Sequence, residues 1–158
     1  MKKLKTLVLA STVVAGAFVG GLAIGKGTAA DVKFVPAADA KWDDMGGLKL
    51  ASVWGDYKKG PYGGLLKLPA GFKSPLHSHT GDYEAVMVSG TSSHWLMGED
   101  GSKAKKLTPG SYWKMPGGLP HVSSCDAGTE CVIYIWQTKP FDAQMIDDKG
   151  KVIPPPKK

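Results

Sequence analysis

The stretch Gly71-Phe-Lys-Ser-Pro-Leu-His77-Ser-His79-Thr-Gly-Asp-Tyr-Glu84 decides how the chain is read, together with Gly110-Ser-Tyr-Trp-Lys-Met-Pro116-Gly-Gly118-Leu-Pro-His121 further on. These two segments hold three of the four histidines. His77 and His79 are two residues apart, and on a β-strand that spacing puts both imidazoles on one face. Two neutral ring nitrogens turned into one cavity suit a transition metal. An H-x-H alone also fits two solvated histidines on an outer strand face. His121, placed just after a proline–glycine turn, supplies a third imidazole and strengthens the inward reading.

Around these segments the chain reads as short runs of β-formers cut by glycine and proline. Leu50–Trp54, Gly64–Leu68, Ala85–Val88, Ser93–Met97, Ser111–Lys114, His121–Ser124 and Val132–Trp136 are predicted strands. Turn signals separate them, among them Lys59-Gly60-Pro61, Pro69-Ala70-Gly71, Thr108-Pro109-Gly110 and Asp126-Ala127-Gly128. Many short strands at such spacing predict an all-β sandwich or barrel. No amphipathic helix of useful length follows the first thirty residues, and there is no internal repeat.

Those first thirty residues read as a secretory leader. Lys2, Lys3 and Lys5 precede an uncharged run from Leu7 to Ile24, and Thr28-Ala29-Ala30 offers small residues for cleavage after Ala30. The alternative is an uncleaved anchor, since about 18 apolar residues is near the lower limit for spanning a bilayer. Gly16, Gly20, Gly21 and Gly25 dilute that run. The expected organisation is therefore a leader over 1–30, an arm over 31–47 with Trp42 as its apolar anchor, a barrel over 48–146, and a Pro/Lys-rich tail over 147–158. Localisation is then periplasmic or secreted. Four of the twenty positive charges and none of the fourteen acids fall in the leader, which leaves a nearly balanced mature chain. No lysine cluster remains for nucleic acid, and no stable membrane insertion is expected after cleavage. Every cation is lysine, so no bidentate guanidinium clamp is available for a carboxylate or phosphate. Cys125 and Cys131 form an even pair in an exported chain and read first as a disulfide across a turn.

The two quoted segments resemble the motifs of the cupin superfamily, G-x5-H-x-H-x(3,4)-E-x6-G and G-x5-P-x-G-x2-H-x3-N. The second is kept from Gly110 to His121, with Cys125 in place of its asparagine. Trp54-Gly55-Asp56, Pro69-Ala70-Gly71-Phe72 and the cysteine pair further resemble the cupin half of zinc-dependent anti-sigma factors. The resemblance implies a small jelly-roll-like cupin barrel and a metal held by His77, His79, Glu84 and His121. The glutamate departs from the pattern. Glu84 has five residues before Gly90 where the motif has six, whereas Tyr83 meets both spacings without being a carboxylate. If Glu84 faces in, so do Val86 and Val88; if Tyr83 faces in, so do Ala85 and Met87, and the site has three histidines. Either register is tolerable, and a one-residue shift reverses every side chain. Cys125 at the asparagine position is also open as a soft ligand for zinc.

Other residues have plainer readings. His94 is expected to be a surface or structural histidine and not a fourth ligand. Trp54, Trp95, Trp113 and Trp136 line a pocket or fill a core. Lys67 and Lys114 are expected to point to water. Ser123 and Ser124 near His121 have no acid placed to complete a nucleophilic triad. Three functions stay open: a module that binds a divalent metal, a metal-dependent oxygenase for a small apolar or aromatic molecule, and a metal-free structural barrel. Zinc, iron, manganese and nickel are not distinguished, a small-molecule ligand is the expected partner, and a homo-oligomer is compatible with the sequence. The leader gives the first test: N-terminal sequencing of exported protein should read from Asp31. Full-length Met1 on membrane-bound material would contradict it.

Overall fold

The computed structural model describes residues 32–154. The leader and the last residues of the tail lie outside them. The strands belong to one body that begins at Val35. They are β1 (Asp43–Asp44), β2 (Lys49–Gly55), β3 (Tyr62–Leu68), β4 (His77–Ser78), β5 (Tyr83–Ser89), β6 (Ser92–Leu96), β7 (Lys106–Leu107), β8 (Tyr112–Met115), β9 (His121–Cys125), β10 (Cys131–Gln137) and β11 (Gln144–Met145). All seven strands expected from the sequence are present. The four that were not foreseen are two-residue pieces, too short to show an alternating pattern.

The strands form two antiparallel sheets, ordered β1-β2-β3-β10-β5-β8 and β11-β4-β9-β6-β7. This is the jelly-roll-type barrel expected from the sequence. Apart from two single turns of 3-10 helix, Ala37–Asp39 and Gly101–Lys103, no helix occurs among the described residues. None is long and apolar enough to cross a membrane.

Strand parity decides which side chains meet. Along β10, Cys131, Ile133, Ile135 and Gln137 are buried, while Val132, Tyr134 and Trp136 alternate outward. Its neighbour β5 buries Tyr83, Ala85 and Met87. The register sets Ile135 opposite Ala85 and Gln137 opposite Tyr83, so both inner rows face the same core. Leu50, Leu68 and Met115 complete the apolar wall from β2, β3 and β8. The outer face of this sheet is more amphipathic. There Trp54 Nε1 donates to the Tyr134 hydroxyl at 3.0 Å. Gly63 lies beneath both groups, and a Cβ on it would collide with each of them.

One tight turn ends β5, just after a register shift against β10 at Met87 and Ser89. Gly90, between β5 and β6, has φ +82°, a left-handed conformation that favours glycine. A Cβ there would also stand 2.7 Å from the Glu130 carbonyl oxygen.

Cys125 and Cys131 are bonded, with Cα atoms 5.8 Å apart. The pair closes the turn between β9 and β10, which belong to different sheets, so the bond staples the sheets at that edge. It also removes Cys125 as a metal ligand. For so short a loop the entropic stabilisation is about 2 kcal/mol. Replacing both cysteines by serine should lower stability by roughly that amount in denaturant titration. An unchanged midpoint would show that the staple is energetically idle.

Candidate metal centre

His77 on β4 pairs directly with His121 on β9, and His79 follows β4 by one residue. The three ligand atoms all lie within 4.8 Å of one another, and all three residues are buried. Ring centroids are 4.4 Å apart for His77 and His121, 5.0 Å for His77 and His79, and 5.4 Å for His79 and His121. The cluster has the residue types and convergence that a metal ion needs.

Each ring is oriented by a backbone carbonyl on its Nδ1. His77 Nδ1 meets the Pro75 carbonyl at 3.0 Å, His121 Nδ1 meets that of Leu119 at 2.9 Å, and His79 Nδ1 meets that of Asp142. A carbonyl only accepts, so in the neutral ring the proton sits on Nδ1 and Nε2 carries the lone pair. Metal-bound histidines typically have this outer hydrogen bond. Among the described residues, no protein group hydrogen-bonds Nε2 of His77 or His79, and Nε2 of His121 has only the Tyr83 hydroxyl, at 3.4 Å.

The Glu84 expectation is corrected here. Glu84 lies on the outer face of β5, opposite Lys114 of β8, whose Nζ is 3.9 Å from its carboxylate. Tyr83 takes the inward place and is 4 % exposed. The physical reason is parity: the register that buries Ala85 and Met87 must bury Tyr83 and expose Glu84, Val86 and Val88. The alternative set of three histidines is the one the fold brings together.

The centre opens onto a cavity of about 450 Å³. Its wall comes from both sheets, so it lies between them. Leu66, Leu68, Ile133 and Ile135 line one side, and Phe72, Phe141 and Met145 contribute near the histidines. Among the described residues Asp142 is the one charged residue lining it, and its Oδ1 is occupied by the Thr80 N–H at 3.0 Å. Of the four tryptophans considered above, only Trp113 reaches this cavity. Trp54 and Trp136 are partly exposed on the outside, and Trp95 carries Lys73 over its ring at 5.2 Å. Lys67 pairs outside with Glu130.

His94 takes the structural one of its two readings and stands outside the metal cluster. It lies on β6 opposite Ser123 and lines the cavity. Its ring stacks 6.0 Å from that of His121, and Ser123 Oγ is 3.0 Å from its Nε2. An isolated histidine on a strand gives no sign of this; the sign is its position two residues before Leu96, which pairs with His121. The carbonyls of Pro75, Leu119 and Asp142 were not legible either, because a backbone acceptor is the same in every residue type.

This fold and this site define a cupin-type barrel, and known structures agree on the architecture. KdgF from Halomonas sp. aligns with a TM-score of 0.54 at 20 % identity, covering 68 % of this chain and 95 % of its own. The polyketide cyclase RemF from Streptomyces resistomycificus gives 0.59 at 16 %, covering 73 % and 86 %. An RmlC-like cupin protein from Ralstonia eutropha JMP134 gives 0.56 at 20 %, covering 78 % of each. At these identities the likeness is one of fold. Residues 27–144 match a family described as a domain of unknown function, DUF4437, and the chain belongs to it. No curated protein matches the sequence.

Burial disfavours the charged imidazole at all four histidines. It lowers His77, and it brings His79 and His121 to about 4 and His94 to about 3. The fold therefore holds these rings neutral, while the unfolded chain takes up protons near pH 6.5. Their contribution to stability is fully present above that value and is lost as pH falls toward 4. The melting temperature of metal-free protein should drop by at least about 5 °C between pH 7 and 4.5, and His94→Gln should flatten part of the slope. A flat profile would mean that the rings are solvated.

Proposed function

We propose that this is an exported cupin that holds one divalent transition metal on Nε2 of His77, His79 and His121 and presents it to a small, uncharged, apolar molecule in the cavity. One observation carries the reading: all three Nδ1 atoms face backbone carbonyls, which leaves three Nε2 lone pairs converging beside an apolar chamber. The donor set fits the group. Three neutral imidazoles suit zinc, iron, manganese or nickel, and the choice among them is left to metal supply and to any further ligand.

When bound, the metal supplies a Lewis acid with coordination positions open to a ligand. The chain's own residues do the rest. Pro75, Leu119 and Asp142 hold the three rings through their carbonyls. Leu66, Leu68, Ile133, Ile135 and Phe141 exclude water and bind apolar surface. The chamber favours an open, reactive centre over a closed zinc module, since structural zinc sites have all their positions filled by protein. An oxygenase for an apolar or aromatic molecule is the enzymatic form of this reading. A metal-free barrel is the weaker reading, because it gives no role to three rings oriented with their Nε2 atoms converging. The disulfide supports an oxidising compartment and therefore export.

Metal content of protein purified from its export compartment tests the reading. Single replacement of His77, His79 or His121 by alanine should weaken metal affinity by at least about tenfold. His94→Ala and Glu84→Gln should keep wild-type content. Undiminished metal in all three histidine variants would defeat the proposal.

A further inference from the structure

We infer that the phenolic oxygen of Tyr83 is a fourth metal ligand in this barrel, at the place where the motif it resembles has a glutamate. The inference rests on the three-histidine reading above and adds a donor that the sequence pattern does not name.

The first support is position. Tyr83 opens β5 and lies between two neighbouring strands, opposite Gln137 of β10 and Met115 of β8. Its backbone is therefore held on both sides. Its ring meets His79 edge-on at 5.3 Å between centroids and lies 6.1 Å from His121. The ring thus meets His79, and the hydroxyl His121, from the sheet opposite to theirs.

The second support is distance. Tyr83 Oη is 3.4 Å from His121 Nε2. That is long for an O–H···N hydrogen bond, which favours about 2.7–3.2 Å. It matches the separation of two ligands on one ion. Donors about 2.0–2.1 Å from one ion stand roughly 3.0–3.4 Å from each other, and a five- or six-coordinate ion held by these four donors keeps positions open to a ligand.

The third support is elimination among the described residues. Glu84 faces Lys114 outside. Ser74 Oγ serves His77 Nδ1 and the Ser123 N–H, and Ser123 Oγ serves His94. The Asp142 carboxylate, whose Oδ1 accepts from Thr80, does not join the three imidazoles in the cluster. Tyr83 is the oxygen donor left facing the imidazoles. Ligation breaks its O–H bond: the oxygen keeps the electron pair as a phenolate, and the proton passes to solvent.

Copper(II) is a suitable probe, because a phenolate bound to it gives a visible charge-transfer band that imidazole ligands do not. Metal-free mature protein given one equivalent of copper(II) should show the band, with tyrosine ring modes enhanced in its resonance Raman spectrum. Tyr83→Phe should still bind one copper, roughly tenfold more weakly, and lack the band. Tyr112→Phe, which alters an exposed tyrosine, should keep it. Copper bound by the wild type without the band, or a band that survives in Tyr83→Phe, overturns the tyrosine ligand and leaves the histidines standing. Failure of the wild type to bind copper overturns both readings. The wild-type spectrum decides the matter even if Tyr83→Phe does not fold.

Discussion

Three imidazoles packed within 4.4–5.4 Å of one another in an apolar barrel cannot all be charged, and the rest of the structure answers that constraint. A neutral imidazole has one N–H to give and one lone pair to place. If the rings bonded to each other, at least one nitrogen would be left over and their orientations would be tied in a chain. Instead each ring gives its proton to a separate carbonyl. Two of those carbonyls come from the residue two positions earlier, in Pro75-Leu76-His77 and Leu119-Pro120-His121. In each the neighbouring proline narrows the backbone choices of the approach. The third comes from Asp142, 63 residues away from His79, and couples the ring to the segment that closes the barrel.

That long-range bond explains why the site needs the whole fold. His77 and His121 are cross-strand partners in the second sheet, so the second sheet alone would bring those two together. His79 is aimed only when the chain has come back past β10 to Phe141 and Asp142. The first sheet supplies Tyr83 and the apolar wall, and the Cys125–Cys131 bond fixes the crossing from β9 in one sheet to β10 in the other. A disturbance at that edge would change the spacing of the sheets and hence the cavity, without touching a single histidine.

The sequence was informative where a feature is repeated or punctuated. Alternating β-formers between glycine and proline turns marked the long strands, and the proline–glycine turn before His121 marked the return to His77. It was ambiguous at Tyr83 and Glu84, because β parity offers two acceptable inward rows and the motif allows either gap after His79. The count from Gly90 was the better guide. Gly90 sits at φ +82° against the Glu130 carbonyl, and six residues separate it from Tyr83 as in the motif, with a register shift between Met87 and Ser89 interrupting strict alternation on the way. A preference for a carboxylate by residue type outweighed that geometric count and pointed to the wrong neighbour. His94 was illegible for a different reason. Its importance comes from lying across β6 and β9 from Ser123, a pairing that only the folded sheet defines.

The same charge accounting constrains what the cavity can take. Among the described residues no lysine lines it, the chain has no arginine, and Asp142 has its carboxylate engaged by Thr80. With a metal bound as proposed, a ligand carboxylate or phosphate would find its countercharge in the ion alone and no cationic side chain beside it. A neutral molecule would need only one polar atom to meet the ion, while its remaining surface would be covered by Leu66, Leu68, Ile133, Ile135 and Phe141. A phenolate from Tyr83 would sharpen this selection further. It cancels one unit of the ion's charge within the protein, which lowers the pull on an anionic ligand more than the pull on a neutral donor.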